Sequence, residues 1–369
     1  MAGIYVHVPF CKSKCTYCDF ASYPKEIGKA DAYFACLYRE IKGRGMQLKD
    51  REFDTVYFGG GTPSIVDAKL ILGALRQIRE CFNLSKDAEI TLEVNPATLT
   101  KEKYEVYKKA GINRYSIGLQ TGDDAELKRL NRIHTAKDYL LTTSILKGEN
   151  FSADILIGIH NQTEKDLINT IDLAILSGAK HISMYALTPE VGTPIYTDYL
   201  NGELLSDDET ASLYDVGVKH LEKNGFNRYE VSNFALDGYQ SKHNYNYWMR
   251  GEYIGFGVSA SSFISERRFT NTFNVEEYIN AIIANKTAEI SSDNIEEGDR
   301  PFEYIMLALR TTKGLNIDNF NKKTGLNFYK EYEKPLKKYQ QCFEESDGYI
   351  RIKPEYLYVQ NTILIDFMK

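Results

Sequence analysis

Ile4-Tyr5-Val6-His7-Val8-Pro9-Phe10-Cys11-Lys12-Ser13-Lys14-Cys15-Thr16-Tyr17-Cys18 is an apolar, β-branched run that stops at a proline and then delivers three cysteines within eight residues. The run predicts a buried strand and the Cys-x3-Cys-x2-Cys segment a loop at its end. Thiolates on one loop can hold three corners of an iron–sulfur cubane, leaving one iron open to a ligand with its own donor atoms. A structural zinc, its tetrahedron closed by His7 or Asp19, is the competing reading. Cys36, Cys81 and Cys342 are scattered in helical patterns, which argues for core positions, against a disulfide framework and for a reducing compartment.

Downstream, similar runs recur at Thr55–Phe58, Ile90–Val94, Arg114–Leu119, Asp154–Ile159 and His181–Leu187. Amphipathic segments lie between them. In Leu70–Phe82 the residues Ile71, Ala74, Leu75, Ile78 and Phe82 share a face; Lys101–Ala110 ends at Gly111; Thr163 to Asp166 is a capping box for a helix stopping at Gly178. This alternation predicts an α/β chain with a parallel sheet. No G-x-G-x-x-G follows the first strand, and polar residues collect after strand ends, so a partial (βα)6 barrel is expected rather than a doubly wound sheet. Cys11, Gly59–Thr62, Glu93, Asn95 and Gln120 would then converge on one mouth. The glycine run permits close backbone approach to a ligand, although a tight turn reads the same way. Glu93 and Gln120 are equally readable as satisfied structural polar groups.

Residues 190–290 mix a helix (Asp207–Lys223) with strands at Arg228–Val231 and Ile254–Val258. From about Ile295 a smaller helical or winged-helix-like unit is expected, with helices at Pro301–Leu309 and Lys330–Gln340 and a strand pair near Tyr349–Ile352. The expected division is a core over 1–230, a linking region over 231–294 and a C-terminal domain over 295–369. The chain has 369 residues and a net charge of −6, from 45 Lys plus Arg and 51 Asp plus Glu, which gives nucleic-acid binding no support. No leader pattern or membrane-spanning run is evident, so a cytoplasmic protein is expected.

The three-cysteine loop with Tyr17 before its last cysteine resembles the radical SAM superfamily. YVHVPFC, GGGTP, ITLEVNP, SIGLQ and NRIHT stand in the order of the branch that contains coproporphyrinogen dehydrogenase and a related heme-chaperone family. The resemblance implies a [4Fe-4S] cluster on Cys11, Cys15 and Cys18, with S-adenosyl-L-methionine (SAM) on the open iron as the source of a 5′-deoxyadenosyl radical. It places Tyr5 and Tyr17 beside the cofactor and Gly60, Gly61 and Thr62 at the methionyl end. Glu93, Gln120, Arg132 and Asp154 fall on SAM polar groups and Ala186 beside the adenine.

Within the branch, the dehydrogenase resembles Cys-x3-Cys-x2-Cys-x-Cys with an arm before the first strand; here Phe20 takes the fourth position and the strand begins at once. His243-Asn244-Tyr245-Asn246-Tyr247-Trp248 matches the H-N-x-x-Y-W motif of the chaperone family. An imidazole can ligate heme iron, so His243 is a candidate heme ligand; a packed core turn is the other reading. Two segments depart from that family: its G-L-P-G-Q-T is Gly158-Ile159-His160-Asn161-Gln162-Thr163, and Ser261 replaces a usual histidine. The resemblance implies heme binding and delivery to heme-accepting apoproteins, peripheral contact with the cytoplasmic membrane, and leaves a homodimer open. Porphyrin decarboxylation and radical methyl transfer are the enzymatic alternatives, and whether SAM is cleaved stays open.

Overall fold

The computed structural model describes residues 2–368; Met1 and Lys369, the outermost positions of the expected first and last units, lie outside the described residues. The first half alternates strand and helix: β1 (Ala2–Val8), α1 (Ala30–Gly45), β2 (Glu52–Gly60), α2 (Ala68–Cys81), β3 (Asn83–Val94), α3 (Lys101–Ala110), β4 (Arg114–Gln120). It continues with α4 (Asp124–Arg129), α5 (Ala136–Ile145), β5 (Phe151–Ile157), α6 (Glu164–Leu176) and β6 (His181–Ala186). β1 to β6 pair in sequence order, each parallel to the next. Sequential order with helical crossovers is barrel geometry, not the reversed order of a doubly wound sheet. The sheet nevertheless stays open, because its outermost strands do not pair with each other.

After α7 (Pro194–Leu200) and α8 (Asp207–Lys223), the two-stranded piece β7 (Asn227–Arg228) and β8 (Asn233–Ala235) closes one edge by antiparallel pairing with β6. The strand expected at Arg228–Val231 is cut short there. Buried Glu230 turns its carboxylate onto the Ser232 amide at 2.8 Å and pairs with Arg310 at 2.8 Å, which bends the backbone out of the ladder. Past α9 (Lys242–Trp248), the strand β9 (Glu252–Phe256) runs parallel to β1, and β10 (Ser261–Ile264), β11 (Arg267–Asn271), α10 (Val275–Ile283) and β12 (Glu289–Asn294) complete that edge. Residues 231–294, read from sequence as a link, thus carry five of the 12 strands.

Strand alternation separates the two faces. Ile4, Val6, Val56, Phe58, Ile90, Leu92, Ile117 and Leu119 are buried in the main hydrophobic core, where the crossover helices bury Ile71, Leu75 and Ile171. The opposite face carries Tyr5, His7, Tyr57, Glu93, Ser116 and Asp154, a polar row. A sheet covered on both sides by protein must satisfy such groups internally.

A second, smaller core begins with α11 (Arg300–Leu309) and collects Ile305, Leu309, Phe320, Phe328, Ile350 and Phe367. It contains a three-stranded antiparallel sheet of Leu315–Asn316, Tyr349–Ile352 and Phe343–Ser346. The single helix expected over Lys330–Gln340 is instead two, Phe328–Glu331 and Glu333–Lys338. Pro335 has no N–H for the Glu331 carbonyl, so a continuous helix is interrupted there. Among the described residues no helix is long and apolar enough to cross a membrane.

Candidate cluster and cofactor site

Cys11 follows β1 at the edge where β2 ends in Gly60 and Gly61. Val8 pairs with Gly60, the Gly61 amide donates to the Val8 carbonyl at 2.8 Å and the Thr62 amide to the Phe10 carbonyl at 2.8 Å. Only glycine fits at these two positions. Gly60 has φ +110°, and a Cβ on it would stand 2.5 Å from the His7 ring; a Cβ on Gly61 would meet the Phe10 carbonyl at 2.7 Å and the Cys11 sulfur at 3.0 Å. The glycine run therefore seats the cysteine loop itself.

Each cysteine has its own polar neighbour. Cys11 Sγ lies 3.5 Å from Thr62 Oγ1, Cys18 Sγ 3.6 Å from Ser22 Oγ, and Cys15 Sγ 3.4 Å from Arg132 Nη1. Arg132 also donates to the Tyr17 hydroxyl at 3.3 Å and the Gly118 carbonyl at 2.9 Å, while its buried Nε has no partner. The unpartnered Arg132 nitrogen leaves a donor for an anionic group beside it.

Gln120 ends β4 in a left-handed conformation (φ 67°), and the β4–β5 register slips by one residue between Gly118 and Gln120. The bulge brings Gln120 Nε2 and Arg132 Nη2 together over Gly118, where a Cβ would stand 2.7 and 2.8 Å from them. Glu93 accepts the Tyr57 hydroxyl at 2.8 Å and the Gly60 amide at 3.1 Å. Burial pushes its carboxyl up to about 7, with the Asp154 charge adding to the rise. Asp154, two strands beyond on β5, accepts the Ser116 hydroxyl at 3.0 Å, and burial raises it too. Ala186 closes β6 opposite Ile157.

Tyr5 stacks on Tyr57 with ring centroids 6.2 Å apart. Its hydroxyl lies 3.0 Å from His7 Nδ1, and His7 Nε2 donates to the Ala21 carbonyl at 2.9 Å on the cysteine loop. Burial lowers His7 to about 4, so the ring is neutral and Nδ1 accepts the Tyr5 proton. Tyr57 was not singled out from the sequence. Its alternation with Thr55 and Gly59 on the polar face is the signal that would have found it.

A cavity of about 650 Å³ opens beside this site. Tyr5 and His7 form one wall, Lys14, Phe20 and Ala21 of the cysteine loop another, and Tyr247, Trp248, Tyr253 and Phe263 the aromatic remainder. His243 does not line it. The ring is 1% exposed, stacks on Tyr57 at 5.1 Å, and lies 2.8 Å from Thr55 Oγ1 and 2.8 Å from the Tyr247 hydroxyl, so both nitrogens are engaged. The motif histidine thus occupies a core position here, and the motif's Tyr247 and Trp248 reach the cavity. Ser261 lines it as well, with its hydroxyl 2.9 Å from that of Thr270.

Residues 5–174 match the Radical SAM superfamily, and residues 295–360 match the HemN C-terminal domain. The chain is 34% identical over 334 residues to the heme chaperone HemW of Buchnera aphidicola subsp. Schizaphis graminum, covering 88% of this chain and 87% of that one. It is 32% identical to the heme chaperone HemW of Bacillus subtilis, with coverage of 88% and 87%. In structure it matches the coproporphyrinogen III oxidase HemN of Escherichia coli with a TM-score of 0.88 at 19% identity, over 100% of this chain and 90% of that one. With most of its length aligned at that identity, the chain belongs to the HemW family of the radical SAM superfamily.

Proposed function

We propose that this protein is a radical SAM heme chaperone: it holds a [4Fe-4S] cluster on Cys11, Cys15 and Cys18, binds SAM beside it, takes heme into the adjoining cavity and passes it to heme-dependent apoproteins. When bound, the cluster and SAM supply one-electron chemistry at the sulfonium. Gly60, Gly61 and Thr62 seat the cysteine loop, Arg132 offers its guanidinium to the SAM carboxylate, and Glu93 offers its carboxyl to the SAM ammonium. Gln120 and Asp154 serve the remaining polar groups, Tyr5 and Tyr17 flank the cofactor, and Ala186 lies by the adenine. These groups also keep water from the cluster's open face.

The observation that carries the heme reading is the cavity. Its volume lies in the roughly 300–1,000 Å³ range of cofactor pockets, and aromatic faces suit a flat macrocycle. Arg250 and Arg268 reach it with their charge already matched. Arg250 donates to both Glu266 oxygens at 2.9 and 2.7 Å and to Glu303 at 2.9 Å, and Arg268 donates to Glu303 at 2.9 Å. Heme propionates would have to share those guanidinium groups with Glu303. His243 contributes through Tyr247 rather than from the cavity wall, and direct ligation would require its ring to leave Thr55 and Tyr247.

The test gives anoxically reconstituted protein hemin in one arm and coproporphyrinogen III with SAM and reductant in the other. A stable hemin complex that transfers its heme to an apo-cytochrome supports the proposal. Formation of protoporphyrinogen would replace it with the dehydrogenase reading. Peripheral membrane contact and dimerisation belong to the same proposal and are tested by vesicle flotation and by solution mass.

A further inference from the structure

The loop after β5 carries a second cluster of ligand-bearing side chains away from the cysteines. Gly158 (φ 81°) and Asn161 (φ 49°) take left-handed turns, and the Gly158 amide donates to Gln162 Oε1 at 3.0 Å. The resulting hairpin turns His160 inward until it is 5% exposed, beside the apolar group Leu130, Leu156, Ile159 and Ile195. His160 Nδ1 stands 2.7 Å from Glu126 Oε1 on α4, and Nε2 stands 3.1 Å from Asp198 Oδ2 on α7. Ligand atoms of His160, Asp198 and Glu203 all lie within 4.8 Å of one another.

Ionised carboxylates only accept hydrogen bonds. An imidazole flanked in this way has one nitrogen held by Glu126 and the other aimed at a pair of carboxylate-bearing side chains, Asp198 and Glu203. We propose that a divalent metal of the zinc class binds there, on His160 Nε2, Asp198 and Glu203, with Glu126 orienting the ring. A carboxylate on the far nitrogen of a ligating histidine is the usual outer support of such centres. Ligand atoms of a tetrahedral zinc with bonds of about 2.0–2.1 Å stand roughly 3.3 Å apart. Asp198 already meets that spacing, and exposed Glu203, on the turn after α7, closes the remainder.

The metal would tie together the segments that hold the cysteine loop. Leu130, just past α4, accepts the Thr16 amide at 3.2 Å, and the Ile195 amide on α7 donates to the Thr16 carbonyl at 3.1 Å. The site is therefore a structural pin beneath that loop, independent of whether the cavity takes heme.

The experiment uses cluster-loaded protein, so that the thiolates are occupied, and titrates zinc against a chromophoric chelator with metal counting by mass spectrometry. One zinc per chain beyond the cluster iron is expected. Glu203→Gln, on the exposed turn and clear of the His160 contacts, should weaken binding at least tenfold with the fold intact; Glu126→Gln should weaken it about 10–100-fold. No zinc retained by the parent, or equal retention by the parent and Glu203→Gln, overturns the site.

Discussion

His243 and Tyr247 sit one helical turn apart on α9, with the imidazole Nε2 and the phenol oxygen 2.8 Å from each other. The other imidazole nitrogen reaches Thr55 on β2, and the Lys242 and His243 amides at the start of α9 donate to Glu89 on β3 at 3.1 and 3.0 Å. One short helix is thereby bolted to the polar face of two strands, and Tyr247 is held where the cavity begins.

Replacing His243 by Ala should leave two buried hydroxyls without a partner and open a void against Tyr57. The expected cost is about 2–4 kcal/mol, read as a lower denaturant midpoint. Burial holds His243 down to about 3, so the ring is neutral throughout the working range. His243→Gln should recover part of the stability. A hemin complex whose iron keeps the same axial-ligand spectrum in both variants is expected; loss of a histidine-type spectrum would put the imidazole on the iron instead.

Cys15→Ser should bind several-fold less iron after anoxic reconstitution, because the proposed cluster would lose one of its three sulfur ligands, the one that Arg132 Nη1 approaches at 3.4 Å. Buried Cys36, packed on α1, is the control. Iron and sulfide per chain in Cys36→Ser should match the parent.

Gly61→Ala should act on iron binding without replacing a cysteine. The added methyl meets the Phe10 carbonyl and the Cys11 sulfur, so the loop must shift, at a cost of about 1–3 kcal/mol. Thermal unfolding of the cluster-free chain measures the cost, and iron content measures the displaced thiolate.

Glu93 predicts a pH dependence. Its folded-state value of about 7 lies above the ordinary carboxylate value of roughly 4.3, so the native chain binds more protons across that interval. Stability should therefore fall as pH rises from about 4.5 to 7, by on the order of 3 kcal/mol, and stay low above. Glu93→Gln should flatten this segment in urea titrations without SAM.

The strands of the parallel sheet, the helix caps and the cysteine loop were legible because each rests on local chemistry. Thr163 and Asp166 do form the reciprocal cap, and Gly111 does end α3 in a left-handed turn. The rest depends on partners far away in sequence. Nothing local says that Glu252–Phe256 pairs with β1, 250 residues earlier in the sequence, or that Gly3 is bare so that the His243 ring can lie 3.1 Å from its would-be Cβ. His243 looked like a ligand because its hydrogen-bonding partners, Thr55 and Tyr247, become visible only once α9 is placed. Likewise the loop after β5 departs from the resembling motif in letters, and Asn161, where that motif has glycine, takes a left-handed turn.

Glu303 belongs to α11 and so to the smaller core, yet it is the counterion of Arg250 and Arg268 on the other side of the cavity. The smaller unit thus reaches the cavity through a carboxylate, beside the Arg310–Glu230 and Arg300–Glu266 pairs that also join it to the rest of the chain. Proteolytic removal of that unit would leave Arg250 to Glu266 alone, deprive Arg268 of Glu303 and strip away the wall that Leu307 provides, exposing the aromatic lining further to water.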